Sequence, residues 1–91
     1  MKEISSRFEI KNKLGMHARA AAEFVQLANK YDAEIKVCKG DVAANGKSIM
    51  SVLTLAALRG ETIEVAAYGA DCEEAVKALG NLIEGLFGEE E

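Results

Sequence analysis

Ninety-one residues, half of them apolar, suffice for one soluble domain with a modest core. A net charge of −4 argues against nucleic-acid binding, which draws on Lys and Arg to neutralise phosphates. The most apolar stretch, residues 49–58, is too short to span a bilayer, and residues 1–7 begin no signal-like apolar run. The expectation is a cytoplasmic protein that is monomeric and touches neither membrane nor nucleic acid.

Apolar and polar residues alternate through Ile4, Phe8 and Ile10, which predicts a strand over about residues 2–11. A turn containing Gly15 follows. Ala21, Phe24, Val25 and Ala28 then recur at helical spacing, opposed by Glu23, Gln26 and Lys30. Alanines at 18, 20, 21 and 22 favour the helix, which should end near 29–31. Ile35 and Val37 alternate with Glu34, Lys36 and Cys38 in a second strand, Lys39-Gly40-Asp41 reads as a hairpin turn, and 42–44 as its return. Asn45-Gly46 breaks the sheet.

Ser48 is a good N-cap for a short helix to about Leu55, ahead of a stop at Gly60. Residues 62–68 alternate again as a fourth strand. Asp71-Cys72-Glu73-Glu74 has the form of a capping box, and Ala75, Val76, Leu79, Leu82, Ile83 and Leu86 make a long amphipathic helix closed by Gly85 or Gly88. The order β-α-β-β-α-β-α predicts an α+β fold, a two-layer open-faced β-sandwich. Its four-stranded, mainly antiparallel sheet has one face wet and the other covered by three helices. Residues 1–91 form one domain, with 88–91 expected to be a frayed acidic tail.

Cys38 and Cys72 have no C-x-x-C spacing and read as reduced thiols. With one histidine in the chain, no metal cluster fits the usual ligand spacings, and no cofactor is implied. That histidine, His17, stands at the start of the first helix. The unpaired N–H groups and macrodipole of a helix N-terminus favour an anion there. A neutral imidazole nitrogen at that point, with Arg19 two residues on, is chemically suited to accept a phosphoryl group. A cation in the first helical turn opposes the dipole, so Arg19 itself points to an anion-binding task. Lys11, Lys13 and, if the fold brings it near, Lys47 would add a local basic patch. The helix opened by Ser48 is too short to bury all its large apolar residues. Val52 and Leu55 should face the core, leaving Ile49, Met50 and Leu53 outside as a docking patch.

Three blocks give this sequence a resemblance to the HPr family, the histidine phosphocarriers of the bacterial phosphoenolpyruvate-dependent phosphotransferase system. They are Leu14-Gly15-Met16-His17-Ala18-Arg19, Lys47-Ser48-Ile49-Met50, and Gly60-Glu61-Thr62-Ile63-Glu64-Val65 running on to Gly69-Ala70-Asp71. Together they span nearly the whole chain in order. The resemblance implies a phosphocarrier and not an enzyme. In it, His17 takes a phosphoryl group on Nδ1 from enzyme I, Arg19 assists, and the group passes to enzyme IIA domains for sugar uptake. It implies a partner surface at Ile49, Met50 and Leu53, to which Ala20 and Lys47 are added. It also aligns Ser48 with a serine modified by a dedicated kinase in many relatives, so Ser48 either caps only or caps and takes phosphate. Family members often have proline at position 20 and glycine at 51, where this chain has Ala20 and Ser51. That departure leaves open a regulatory, nitrogen-type relay or interaction module in place of sugar transport.

Overall fold

Alternation in four segments builds the sheet seen in the computed structural model, which describes residues 2–89. Its elements in chain order are β1 (Glu3–Glu9), α1 (Ala18–Ala28), β2 (Glu34–Lys39), β3 (Val42–Asn45), α2 (Ile49–Leu53), β4 (Thr62–Tyr68), α3 (Cys72–Glu84) and a 3-10 turn, Leu86–Gly88. The strands pair in the order β1-β4-β2-β3, every pair antiparallel.

Register puts one residue set inward. Ile4 and Ile35 both face Ala67, Phe8 faces Ile63, and Val37 lies between Val65 and Ala44. These residues meet Phe24, Val25, Val52, Val76, Leu79 and Ile83 from the helices, and Leu55 from the turn after α2, in one core. Burying a side chain of this size contributes about 1.5–3 kcal/mol, which is why the stripe decides the fold. The opposite face carries Glu3, Arg7, Glu34 and Lys36, all exposed. Helix α3 lies across β1 and β4, and it comes close because Gly80 has no side chain: a Cβ there would stand 2.6 Å from the Phe8 ring.

Several local expectations give way to tertiary contacts. The capping box before α3 does not form. Asp71 stands at the N-cap position, but its carboxylate accepts the Asp32 and Ala33 N–H groups, each at 2.9 Å, and so ties the α1–β2 loop to α3. Those donors hold its carboxyl below the usual value, the Asp32 N–H most of all. Helix α2 ends at Leu53 and not Leu55. It passes into tighter i→i−3 bonds, and the chain turns through Ala56 at φ +48°. The frayed tail is also overturned at Gly88 and Glu89. Phe87 is buried, and Glu89 is folded back onto the start of α1; residues 90 and 91 lie outside the described residues.

Candidate phosphoryl-acceptor site

The loop before α1 is fixed from three sides. A turn closes with the Gly15 N–H donating to the Asn12 carbonyl, and the Met16 N–H donates to the Ala57 carbonyl at 2.8 Å. Gly15 adopts φ +68°, and a Cβ on it would stand 2.5 Å from the Ala57 oxygen. Only glycine meets both demands. Met16 is buried beneath, so His17 emerges in extended backbone at the N-cap of α1.

His17 is itself the cap. Its Nδ1 accepts the Arg19 N–H at 3.3 Å, while the His17 carbonyl accepts the Ala21 N–H and starts the helix. An Nδ1 that accepts must carry a lone pair, so the ring proton sits on Nε2. Nε2 donates to Glu89 Oε2 at 2.5 Å, with both side chains largely covered. The other Glu89 oxygen accepts from Asn12 Nδ2 at 3.2 Å. Burial pushes the Glu89 carboxyl up, but hydrogen bonds from His17 and Asn12, with the nearby charge of Arg19, bring it below the ordinary value. The arrangement is a nucleophilic ring nitrogen at a helix N-terminus, its other nitrogen held by a carboxylate.

Arg19 is exposed, with its charge felt at Glu89, so the guanidinium is free to meet an incoming anion. Lys13 is exposed, and Lys11 reaches Glu84 at 3.4 Å. Lys47 does not join them. Its ammonium donates to the Tyr31 carbonyl at 2.6 Å, past the C-terminal end of α1, where the dipole welcomes a cation. Eleven residues of helix put that end about 16 Å from His17. Among the described residues no group of three or more His, Cys, Asp or Glu is placed to hold a metal ion.

A family model described as "PTS HPr component phosphorylation site" matches residues 4–85. The chain belongs to the HPr family. It is 49% identical over 88 residues to phosphocarrier protein HPr of Neisseria meningitidis, covering 97% of this chain and 99% of that one. Phosphocarrier protein NPr of Shewanella violacea is 36% identical over 89 residues, with 98% of each chain covered. HPr of Thermoanaerobacter tengcongensis superposes with a TM-score of 0.90 at 49% identity over the full length of both chains, and it is known as a dimer as well. The protein is thus a phosphocarrier of the phosphotransferase system and not an enzyme.

On α2, Ser48 accepts the Ser51 N–H at 3.3 Å and so caps the helix. Ile49 is exposed and Met50 is 75% exposed, whereas Leu53, expected outside, is half-buried against the core with Val52 and Leu55 fully buried. The expectation for Ala20 does not survive. Its side chain is wholly buried, because it lies on the same inward stripe as Phe24, four residues on, and it offers a partner no surface. Sequence reasoning passed over Asn12, Glu89, Leu14 and Leu58. Leu14 and Leu58, 64% and 63% exposed, flank the contact between Gly15 and the 57–58 segment and put apolar side chains beside the loop that leads to His17. An exposed leucine beside a predicted turn glycine was a usable signal for Leu14. For Asn12 and Glu89 none existed, since each matters only through contacts made across the fold.

Proposed function

We propose that His17 accepts a phosphoryl group on Nδ1 from the phosphohistidine of enzyme I and passes it to an enzyme IIA domain, serving sugar uptake in the cytoplasm. One observation carries this reading: Nδ1 faces the N-terminus of α1, where the Arg19 N–H already points at it at 3.3 Å. When phosphorus takes the Nδ1 lone pair, that N–H and the other unpaired amides of the first turn are free to turn to the phosphoryl oxygens, and the Arg19 guanidinium meets their charge. Phosphoryl transfer is mostly positioning and charge screening, so this small set is enough. An open site also leaves the group available for the next acceptor.

Exposed Ile49 and Met50 on α2, and exposed Leu14 and Leu58 beside the loop that leads to His17, give enzyme I and the acceptor apolar surface to dock on in this reading. Ser48 lies at the rim of the α2 patch. A phosphate added there by a serine kinase would sit on the α2 N-terminus and repel partners from the apolar surface beside it. The protein acts as a monomer. Mixing it with a generic enzyme I and phosphoenolpyruvate tests the central claim: acid-labile, base-stable phosphate forms on the wild type. If the label stays on a His17→Ala variant to the same extent, the site is wrong. Donation to a sugar-type, and not a nitrogen-type, acceptor domain supports the transport role.

A further inference from the structure

The tail carboxylate does more than close the fold. We propose that Glu89 is a positioning residue that holds His17 in the tautomer with a bare Nδ1 and meets the charge that arises on the ring when Nδ1 is phosphorylated. The inference rests on His17 being the acceptor.

Three observations converge. The carboxylate receives two donors at once, His17 Nε2 at 2.5 Å on one oxygen and Asn12 Nδ2 at 3.2 Å on the other. Asn12 is wholly buried and its Nδ2 also donates to the Gly15 carbonyl at 2.8 Å, so its amide is oriented as a donor toward Glu89; its Oδ1 has no partner among the described residues. Leaving a buried acceptor unpaired is costly, and the amide faces that way all the same. The chain itself is bent to deliver Glu89. Leu86, Phe87 and Gly88 follow one another at φ +62°, +54° and +80°, with Phe87 anchored in the core. Two L-residues in the left-handed region are unfavourable, and their strain is held where a carboxylate is set against the reactive ring.

The chemistry explains why a carboxylate belongs there. In the resting ring Nε2 carries the proton. As the phosphoryl group arrives, the Nδ1 lone pair forms the new N–P bond. The old P–N bond breaks, and its electron pair leaves with the donor's imidazole. His17 keeps its Nε2 proton, so its ring takes on positive charge, shared with Nε2–H. Glu89 faces that N–H from the side away from the phosphoryl group, stabilising the charge without meeting the phosphoryl oxygens head on. Onward transfer runs the same changes in reverse.

Glutamine at 89 tests this sharply, because it must present one oxygen and one NH2 to two donors. With Asn12 Nδ2 committed, the Gln NH2 faces Nε2 and favours the opposite tautomer, whose Nδ1–H then opposes the Arg19 N–H. The single histidine makes the 15N spectrum of the imidazole unambiguous. In the resting wild type, the neutral ring should show a protonated Nε2 and a bare Nδ1. Glu89→Gln should populate the Nδ1–H form, and phosphorylation by enzyme I should slow by about tenfold or more. A wild-type ring protonated on Nδ1, or a Glu89→Gln spectrum indistinguishable from wild type, overturns the proposal. The spectra are recorded without enzyme I. A wild type that takes no phosphate would therefore sink the phosphocarrier reading of His17 while the tautomer result still judged Glu89.

Discussion

Helices α1 and α2 begin alike and differ in almost everything that follows. Each is capped by a side chain: His17 Nδ1 accepts an N–H two residues on, and Ser48 Oγ accepts one three residues on. The first cap is an aromatic base on an eleven-residue helix, steadied by a carboxylate and flanked by an exposed arginine. The second is a neutral hydroxyl on a five-residue helix beside exposed Ile49 and Met50. A side chain that caps a helix is already aimed at unpaired amides, so adding phosphate to either would put charge where the backbone can receive it. What separates the two is nucleophilicity. An imidazole near neutral pH has a free lone pair, whereas a serine hydroxyl needs a base to activate it, and the described structure places none on Ser48. In the proposed function, therefore, the first cap exchanges phosphate with other phosphohistidines, and phosphate on the second would need a dedicated kinase.

The sharpest break in that comparison is His17→Ala, which should abolish acid-labile labelling by enzyme I while Ser48 stays open to an ATP-dependent kinase. Ser48→Asp probes the other helix. It should slow transfer from enzyme I by about tenfold, as negative charge disfavours docking on the neighbouring apolar surface. The melting temperature should barely move, since aspartate caps a helix as well as serine does. A large loss of stability with normal transfer would mean that α2 is a structural strut and not a docking face.

Acid should separate the two ends of α1. Asp71 ties the loop beyond its C-terminal end and Glu89 ties its N-terminal end, and both carboxyls lie below their ordinary values of 3.8 and 4.5. A carboxyl depressed by folding stabilises the protein above its unfolded value and loses that contribution as pH falls through the folded one. Stability should therefore decline as pH drops below about 4.5. Asp71→Asn should lower stability at neutral pH and flatten the lower part of that decline, as thermal melts across pH will show.

The strands and helices were legible because each is written in local pattern. The alternation in 62–68 and the stripe Ala21-Phe24-Val25-Ala28 describe surfaces that can be buried in only one way. The place of His17 at the start of α1 was legible for a similar reason, as strand, turn and alanine-rich helix lie within twenty residues. Pairings that depend on where distant segments land were not. Asp71 reads as a cap for its own helix but is drawn to N–H groups 38 and 39 residues earlier, and Glu89 reads as solvated but meets a ring 72 residues away. Lys47 is near His17 only if α1 is ignored as a spacer. Ala20 was added to the partner surface with the family resemblance, while its position on the inward stripe of α1 buries it.

The smallest predicted effect concerns the join between the two helices. Leaving α2, the chain bends through Ala56 at φ +48°, and the next residue, Ala57, gives its carbonyl to the Met16 N–H just ahead of His17. The bend at Ala56 therefore holds the exit of one capped helix against the entry of the other. A left-handed alanine costs about 1–2 kcal/mol, and glycine removes that cost while adding about 0.4–1 kcal/mol of freedom to the unfolded chain. Ala56→Gly should then stabilise the protein by up to about 1.5 kcal/mol, a rise in melting temperature of a few degrees. The Ala56 side chain is exposed, so nothing packed is lost. Because glycine accepts the same backbone path, Gly15 and Ala57 keep their contact, and transfer from enzyme I should proceed at the wild-type rate. A fall in melting temperature would show that the bend is held by the alanine and not in spite of it. A change in rate at unchanged stability would show that the two helix starts communicate through this loop.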